Sequence, residues 1–166
     1  MKALVGLGSN LGDRDGHLRR AVELLREQGI RLRAASSIWE TAAVDCEDPR
    51  PFRNAVLALS AGRRPFRLLD RLQGIERRMG RIRSGRANEP RVIDLDLLAM
   101  GPYRIRRPRL VLPHPRMWRR RFVLVPLAEI EPGLRHPETG EPIAAVIERL
   151  REAEPEVERV GPLTLL

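Results

Sequence analysis

The run Arg91-Val92-Ile93-Asp94-Leu95-Asp96-Leu97-Leu98 spaces two acids so that they can work together. Read as a strand, it turns Ile93, Leu95 and Leu97 to one face and Val92, Asp94, Asp96 and Leu98 to the other. The two carboxylates then stand roughly 7 Å apart on one face. Aspartate is a poor strand former and like charges repel, so this placement costs stability. An exposed sheet face that tolerates acids is the plain account. A carboxylate pair holding Mg²⁺ explains both acids at once, because magnesium takes one or two protein carboxylates and fills its shell with water and phosphate oxygens. Two such ions clamp the attacking and leaving oxygens of a phosphoryl displacement.

The basic residues point the same way. Of 31 lysines and arginines all but Lys2 are arginine, and the net charge is +9. Arginine presents a rigid fork to phosphate oxygens. From Leu97 to Ala128 there are eight arginines and no acid, and Asp94 and Asp96 stand at the mouth of this tract. Metal-holding acids beside phosphate-holding arginines suit a nucleoside triphosphate. A basic face for RNA is one competing reading. It has only six aromatics to stack bases and no RNP1 pattern, and it leaves the two acids repelling the backbone they would have to face. A two-metal nucleotidyltransferase, which would release pyrophosphate, is the other. A Walker A loop is excluded, because it needs an internal lysine, and Gly6, Gly8 and Gly12 give GxGxxxG rather than the dinucleotide GxGxxG.

The elements that must carry these groups follow from periodicity. Residues 2–8 read as a buried strand in which Gly6 and Gly8 permit close approach to the backbone. Asp13 caps a helix with Leu18, Ala21, Val22 and Leu25 as its stripe, stopped by Gly29. Residues 30–39 alternate as one half-exposed strand, followed by an acidic, proline-closed loop over 41–51. Phe52–Leu59 is a third strand with Phe52, Asn54, Val56 and Ala58 on one face. Asn54 on that apolar face needs partners, which a flat heterocycle stacked on Phe52 would supply. Pro65 opens a second helix striped by Leu68, Leu69, Leu72, Ile75 and Met79, with Gln73 and Glu76 on its solvated flank. Arg81, Arg83, Arg86 and Arg91 fall in a Gly- and Pro-containing loop, a candidate lid. After the acidic strand come an extended Arg-rich tract over 103–113, His114 between two prolines, and a short helix around 125–130. The last third, with an amphipathic helix at Ile143, Val146, Ile147 and Leu150, reads as scaffold. The order β, α, β, β, α, β predicts an α+β, ferredoxin-like sandwich with a mainly antiparallel sheet and helices packed on it. A length of 166 residues suits one domain over 1–166. No apolar run is long enough to cross a bilayer, and Cys46, the lone cysteine, allows no internal disulfide. A cytoplasmic protein is expected.

Together these motifs resemble the 6-hydroxymethyl-7,8-dihydropterin pyrophosphokinases of folate synthesis. The resemblance runs from Gly6-Leu7-Gly8-Ser9-Asn10-Leu11-Gly12 to Pro126-Leu127-Ala128-Glu129-Ile130. It is carried by Pro90-Arg91-x-x-Asp94-Leu95-Asp96-Leu97-Leu98, then Leu112-Pro113-His114-Pro115 and Arg120-x-Phe122. It implies transfer of the terminal pyrophosphoryl unit of ATP to the pterin hydroxymethyl group. It also implies two Mg²⁺ ions on Asp94 and Asp96. No nucleic-acid or membrane partner is expected; the sequence does not give the oligomeric state, for which a monomer is the favoured reading. Phe52 and Phe122 match the aromatic pair around the pterin. Asn54 matches its hydrogen-bonding partner, and Gly8 with Thr41, Ala42, Ala43 and Val44 matches the rest of that pocket. Gln73, Glu76, Arg83, Arg91, Leu97, His114, Pro115 and Arg120 match nucleotide-contacting positions. Arg81, Arg91 and Asp96 match groups that act on the reacting atoms. Thr41-Ala42-Ala43 stands where the family usually has Thr-Pro-Pro, Glu89 replaces a small residue, and Asn88 stands where some members carry tryptophan.

Overall fold

The strands expected over 2–8 and 52–59 build the centre of the sheet. β1 (Lys2–Ser9) pairs antiparallel with β4 (Phe52–Ser60) on one side and with β5 (Asp94–Met100) on the other. The structure, a computed structural model, describes residues 1–43, 50–81 and 89–164. Strand order in the main sheet is β5-β1-β4-β3-β8, with β2 also pairing with β4. Here β2 is Arg31–Ala35, β3 is Ile38–Thr41 and β8 is Val157–Gly161. Each helix crossover skips a neighbouring strand, the split βαβ arrangement of a ferredoxin-like fold.

Two helices cover one face of the sheet. α1 (Arg14–Glu27) starts at Asp13, whose side chain accepts the Gly16 N–H at 3.0 Å, and ends before Gly29, at φ +73°. α2 (Pro65–Arg78) has proline in its first turn, where no amide hydrogen bond is lost. Leu18, Leu25, Leu72 and Ile75 from these helices meet Val5, Leu57, Leu59, Leu95 and Leu97 from the strands, and Ile93 just before β5. The other face carries Leu4, Val56, Ala58 and Leu98, covered by α3 (Arg121–Ile130) and α4 (Ile143–Arg149). α3 covers only part of that face, and the part left open carries the functional groups.

Three expectations change. Residues 30–39 form two strands, not one. A bulge between Leu32 and Ala34 turns Leu32 and Ala35 to the α1/α2 core and Ala34 to the other. At the break between β2 and β3, Ser36 Oγ accepts the Val56 N–H at 2.9 Å and donates to Ser37 O at 2.8 Å. Glu129 of α3 accepts Ser37 N–H, Ser37 O–H and the Trp39 indole N–H at 2.8–3.1 Å, so the broken strand is locked to the helix. Second, the Arg-rich tract over 103–113 is a hairpin, β6 (Ile105–Arg107) with β7 (Leu110–Leu112), not a single extended run. Third, the last third is more than scaffold, because β8 joins the sheet beside β3 and its approach reaches the site.

Candidate active site

Strand register sets the site. Gly8 of β1 lies between Asn54 of β4 and Asp94 of β5, and Gly6 lies between Val56 and Asp96. Two rows therefore cross the open face, each with glycine at its centre. A Cβ on Gly8 would lie 3.4 Å from Asn54 Oδ1 and 3.9 Å from both the Asp94 Cβ and the Phe52 ring, so the glycine keeps a shallow floor between these groups. Above it is a pocket of about 290 Å³ lined by Thr41, Ala42, Phe52, Asn54, Arg91, Asp94, Asp96, Arg116, Arg120 and Phe122, among others. Asn54 Nδ2 donates to Thr41 Oγ1 at 2.9 Å, which fixes the amide and leaves its oxygen over the Gly8 floor. The Arg91 guanidinium lies 5.2 Å from the Phe52 ring centre, and that of Arg120 lies 5.4 Å from Phe122.

The two acids sit in different surroundings. Arg91 Nε approaches Asp94 Oδ2 at 3.1 Å, and Arg81 bridges Asp94 and Glu76. Burial alone would push the Asp94 carboxyl up, but Arg91 and Arg81 outweigh it and hold the group below the ordinary carboxylate range. At Asp96, burial and then the Asp94 charge push the same way, to about 6, with Arg120 opposing. Asp96 has no ion pair of its own among the described residues. Burial, then Arg120 and Arg116, pull the His114 ring down to about 4, so it is neutral at pH 7. Its amide donates to Leu98 O at 2.7 Å, which ties the segment after β7 to β5.

The fit to a metal can be tested on this donor set. Two carboxylates, one of them with no ion pair among the described residues, suit a hard divalent cation. Among the described residues no group of three or more His, Cys, Asp or Glu could hold a metal alone. Phosphate oxygens and water must complete the shell, which is the way magnesium binds beside nucleotides.

The profile of the 7,8-dihydro-6-hydroxymethylpterin-pyrophosphokinase family matches residues 4–132. The chain belongs to this family. It is 43% identical over 141 residues to the 2-amino-4-hydroxy-6-hydroxymethyldihydropteridine pyrophosphokinase of Porphyromonas gingivalis, covering 83% of this chain and 95% of that one. Identity to the enzyme of the same name in Bacillus subtilis is 44% over 129 residues, 77% of each chain. A solved HPPK-DHPS chain in complex with substrates superposes with a TM-score of 0.72 at 14% identity, over 92% of this chain and 43% of that one. The wild-type HPPK-DHPS of Plasmodium falciparum with pteroate gives 0.70 at 16%, over 89% and 42%. These two likenesses show the fold, and this chain spans less than half of either solved chain.

For this pyrophosphokinase-family chain, the predicted residues separate by place. Gly8, Thr41, Ala42, Phe52, Asn54, Phe122, Arg91, Asp94, Asp96 and Arg120 all line the pocket. Glu76 does not sit on a solvated flank. It is 2% exposed, and its Oε1 accepts the Leu95 N–H at 2.8 Å, so it lies beneath the aspartates and anchors Arg81. The Leu97 side chain is buried in the α1/α2 core, and only its backbone is on offer to a nucleotide. Gln73, Ala43, His114 and Pro115 do not line the pocket. Val44, Arg83 and Arg86 lie outside the described residues. Four contributors were not singled out from the sequence. Arg116, Glu154 and Pro155 line the pocket, and Asn10 accepts the Arg91 N–H through Oδ1 at 2.8 Å, fixing the start of the acidic segment against β1. Asn10 could have been found from its place in the Gly6–Gly12 motif; Glu154 and Pro155 carried no signal.

Proposed function

We infer that this chain transfers the pyrophosphoryl group of ATP to the hydroxymethyl group of 6-hydroxymethyl-7,8-dihydropterin, giving AMP and the pterin pyrophosphate for folate synthesis. The observation that carries this is the two-row floor. Asn54 and Phe52 stand on one side of the two glycines and Asp94 and Asp96 on the other, in one pocket of a chain of this family. A flat ring over Gly8, against Phe52 and Phe122 and the Asn54 oxygen, directs its substituent toward the acids. The hydroxymethyl oxygen bonds to the β-phosphorus, and the bond from that phosphorus to the oxygen bridging the α- and β-phosphates breaks. AMP departs with the electron pair, and the hydroxyl proton goes to water or to Asp96. Alignment and charge neutralisation carry most of such a transfer. Arg91 and Arg120 line the pocket where the phosphates must lie, with Arg116 beside them. Arg81, held by Glu76 and Asp94, keeps the Asp94 carboxylate ionised and oriented. Asp94 and Asp96 would hold Mg²⁺, as two ions, which when bound neutralise phosphate oxygens as Lewis acids.

The sheet beneath the pocket has helices packed on both of its faces, which supports one domain over 1–166. No described helix is long and apolar enough to cross a membrane, and the use of ATP supports a cytoplasmic setting. The test is the nucleotide product after incubation with ATP, Mg²⁺ and the pterin. AMP that forms only when the pterin is present is the expected result. ADP would make the chain an ordinary kinase and pyrophosphate a nucleotidyltransferase, and either would overturn this reading.

A further inference from the structure

The end of the sheet far from the two aspartates holds a second cavity, of about 350 Å³, between the end of β4 and the start of α2. Arg63, Arg64, Arg67 and Arg71 line it, and no acid does. At about 3.3 Å per residue, the length of β4 sets Ser60 in this cavity about 26 Å from Phe52 in the candidate active site. The two sites are therefore separate.

The fold gives these four arginines no partner. None of their side chains has a hydrogen bond or ion pair with a described residue. Elsewhere arginines meet acids: Arg20 and Arg78 pair with Glu27, and Arg149 with Glu141. Asp70, three residues after Arg67, pairs instead with Arg109 in the turn between β6 and β7. The placement is also costly. Arg64 caps α2 without a side-chain cap hydrogen bond, and the first turn carries no acid. Cations at the positive end of a helix raise its energy, and Arg64, Arg67 and Arg71 repel one another at spacings of three and four. An anion held among them removes both costs. The loop beneath is already set. Ala61 N–H donates to Met1 O at 2.8 Å, and Tyr103 O–H donates to Arg63 O at 2.7 Å. A Cβ on Gly62 would meet nothing within 4 Å, so the loop backbone faces open space.

We propose that this cavity binds an oligophosphate, the chain of two or three phosphates carried by a nucleotide or free as an inorganic ion. Guanidinium forks match phosphate oxygens in pairs. Adjacent arginines favour a chain over a single small anion, because each further phosphate meets a further cation. A cavity of this size admits such a chain with or without a nucleoside. Its lining has no aromatic on which bases could stack, which favours a phosphate chain over a polynucleotide. The site does not depend on which reaction the catalytic pocket performs.

The experiment uses the full chain and three variants. R64Q/R67Q/R71Q empties the cavity of charge. R77Q/R106Q/R119Q removes three exposed arginines elsewhere and so changes net charge equally. R91Q/R120Q alters the catalytic pocket. Inorganic tripolyphosphate, ADP, sulfate and a short single-stranded RNA are each titrated by calorimetry in EDTA at one salt concentration. Tripolyphosphate should bind wild type at least about tenfold more tightly than sulfate. R64Q/R67Q/R71Q should raise its Kd by about ten- to a hundredfold, and the other two variants by less than about twofold. If the triple variant fails to fold, R67Q alone, at an exposed position, should raise the Kd by about three- to tenfold. ADP binding more tightly than tripolyphosphate would assign the cavity to nucleotide tails, and weaker or equal binding to the free ion; either result keeps the oligophosphate. An equal loss in R77Q/R106Q/R119Q, a loss confined to R91Q/R120Q, or tripolyphosphate binding no tighter than sulfate would overturn the proposal. So would RNA that binds these arginines more tightly than tripolyphosphate does.

Discussion

Asp96 should make the folded protein less stable at neutral pH, and its removal should show this. Burial and the Asp94 charge push the Asp96 carboxyl from an ordinary 3.8 to about 6. Between those values the native state binds more protons than the unfolded chain, so stability falls as pH rises through roughly 4 to 6. Above that window the ionised group carries its full cost. At 1.36 kcal/mol per pH unit the gap has a ceiling of about 3 kcal/mol, and shared titration with Asp94 leaves about 1–3 kcal/mol assignable to Asp96. Asn in place of Asp keeps the shape and drops the charge. D96N should therefore gain about 1–3 kcal/mol at pH 7.5 in EDTA and nothing at pH 4, while turnover falls by about a hundredfold or more. The assay is urea unfolding at both pH values, with and without Mg²⁺. In a chain of this size the gain is about 2–12 °C in Tm. Mg²⁺ should stabilise wild type by mass action and D96N much less. An Asn variant no more stable than wild type at pH 7.5, or one with near-normal turnover, would refute the charge assignment.

Other outcomes follow from the same contacts. E76A should lower the urea midpoint with an unchanged m-value and cost about 2–4 kcal/mol, because the Leu95 N–H and one side of the buried Arg81 guanidinium lose their acceptor; a loss under about 1 kcal/mol would show that Glu76 is solvated. F52A should raise the KM for the pterin about tenfold while F52Y stays close to wild type, since the ring face does the stacking; equal losses in the two variants, read by steady-state kinetics, would remove Phe52 from the acceptor site.

Much of the site could be read from the chain because the strands carrying it obey a period of two. The alternation of Asp94 and Asp96 against Ile93, Leu95 and Leu97, and of Phe52 and Asn54 against Ala55 and Leu57, already states which side chains share a face. Where the backbone departs from regular alternation the reading failed. The bulge after Leu32 reverses the faces that follow it, and hydroxyl bonds from Ser36 replace ladder bonds at a break with no Gly or Pro to mark it. Glu76 was misplaced for a different reason. Helical periodicity locates a residue around its own axis, but says nothing about a neighbouring strand whose free Leu95 amide turns a flank into an interior.

By itself the sequence determined the first two helices, the glycine-centred strand, the paired acids and the face shared by Phe52 and Asn54, since each follows from local spacing and backbone chemistry. Only the tertiary structure decided which rows these residues form. The register that sets Gly8 between Asn54 and Asp94 joins positions 46 and 86 residues apart, and it depends on pairing energies that no local window contains. The same holds for Arg81 bridging Glu76 and Asp94, and for a C-terminal strand that brings Glu154 back beside Thr41. Contacts of that range are chosen by burial and hydrogen-bond satisfaction summed over the whole fold.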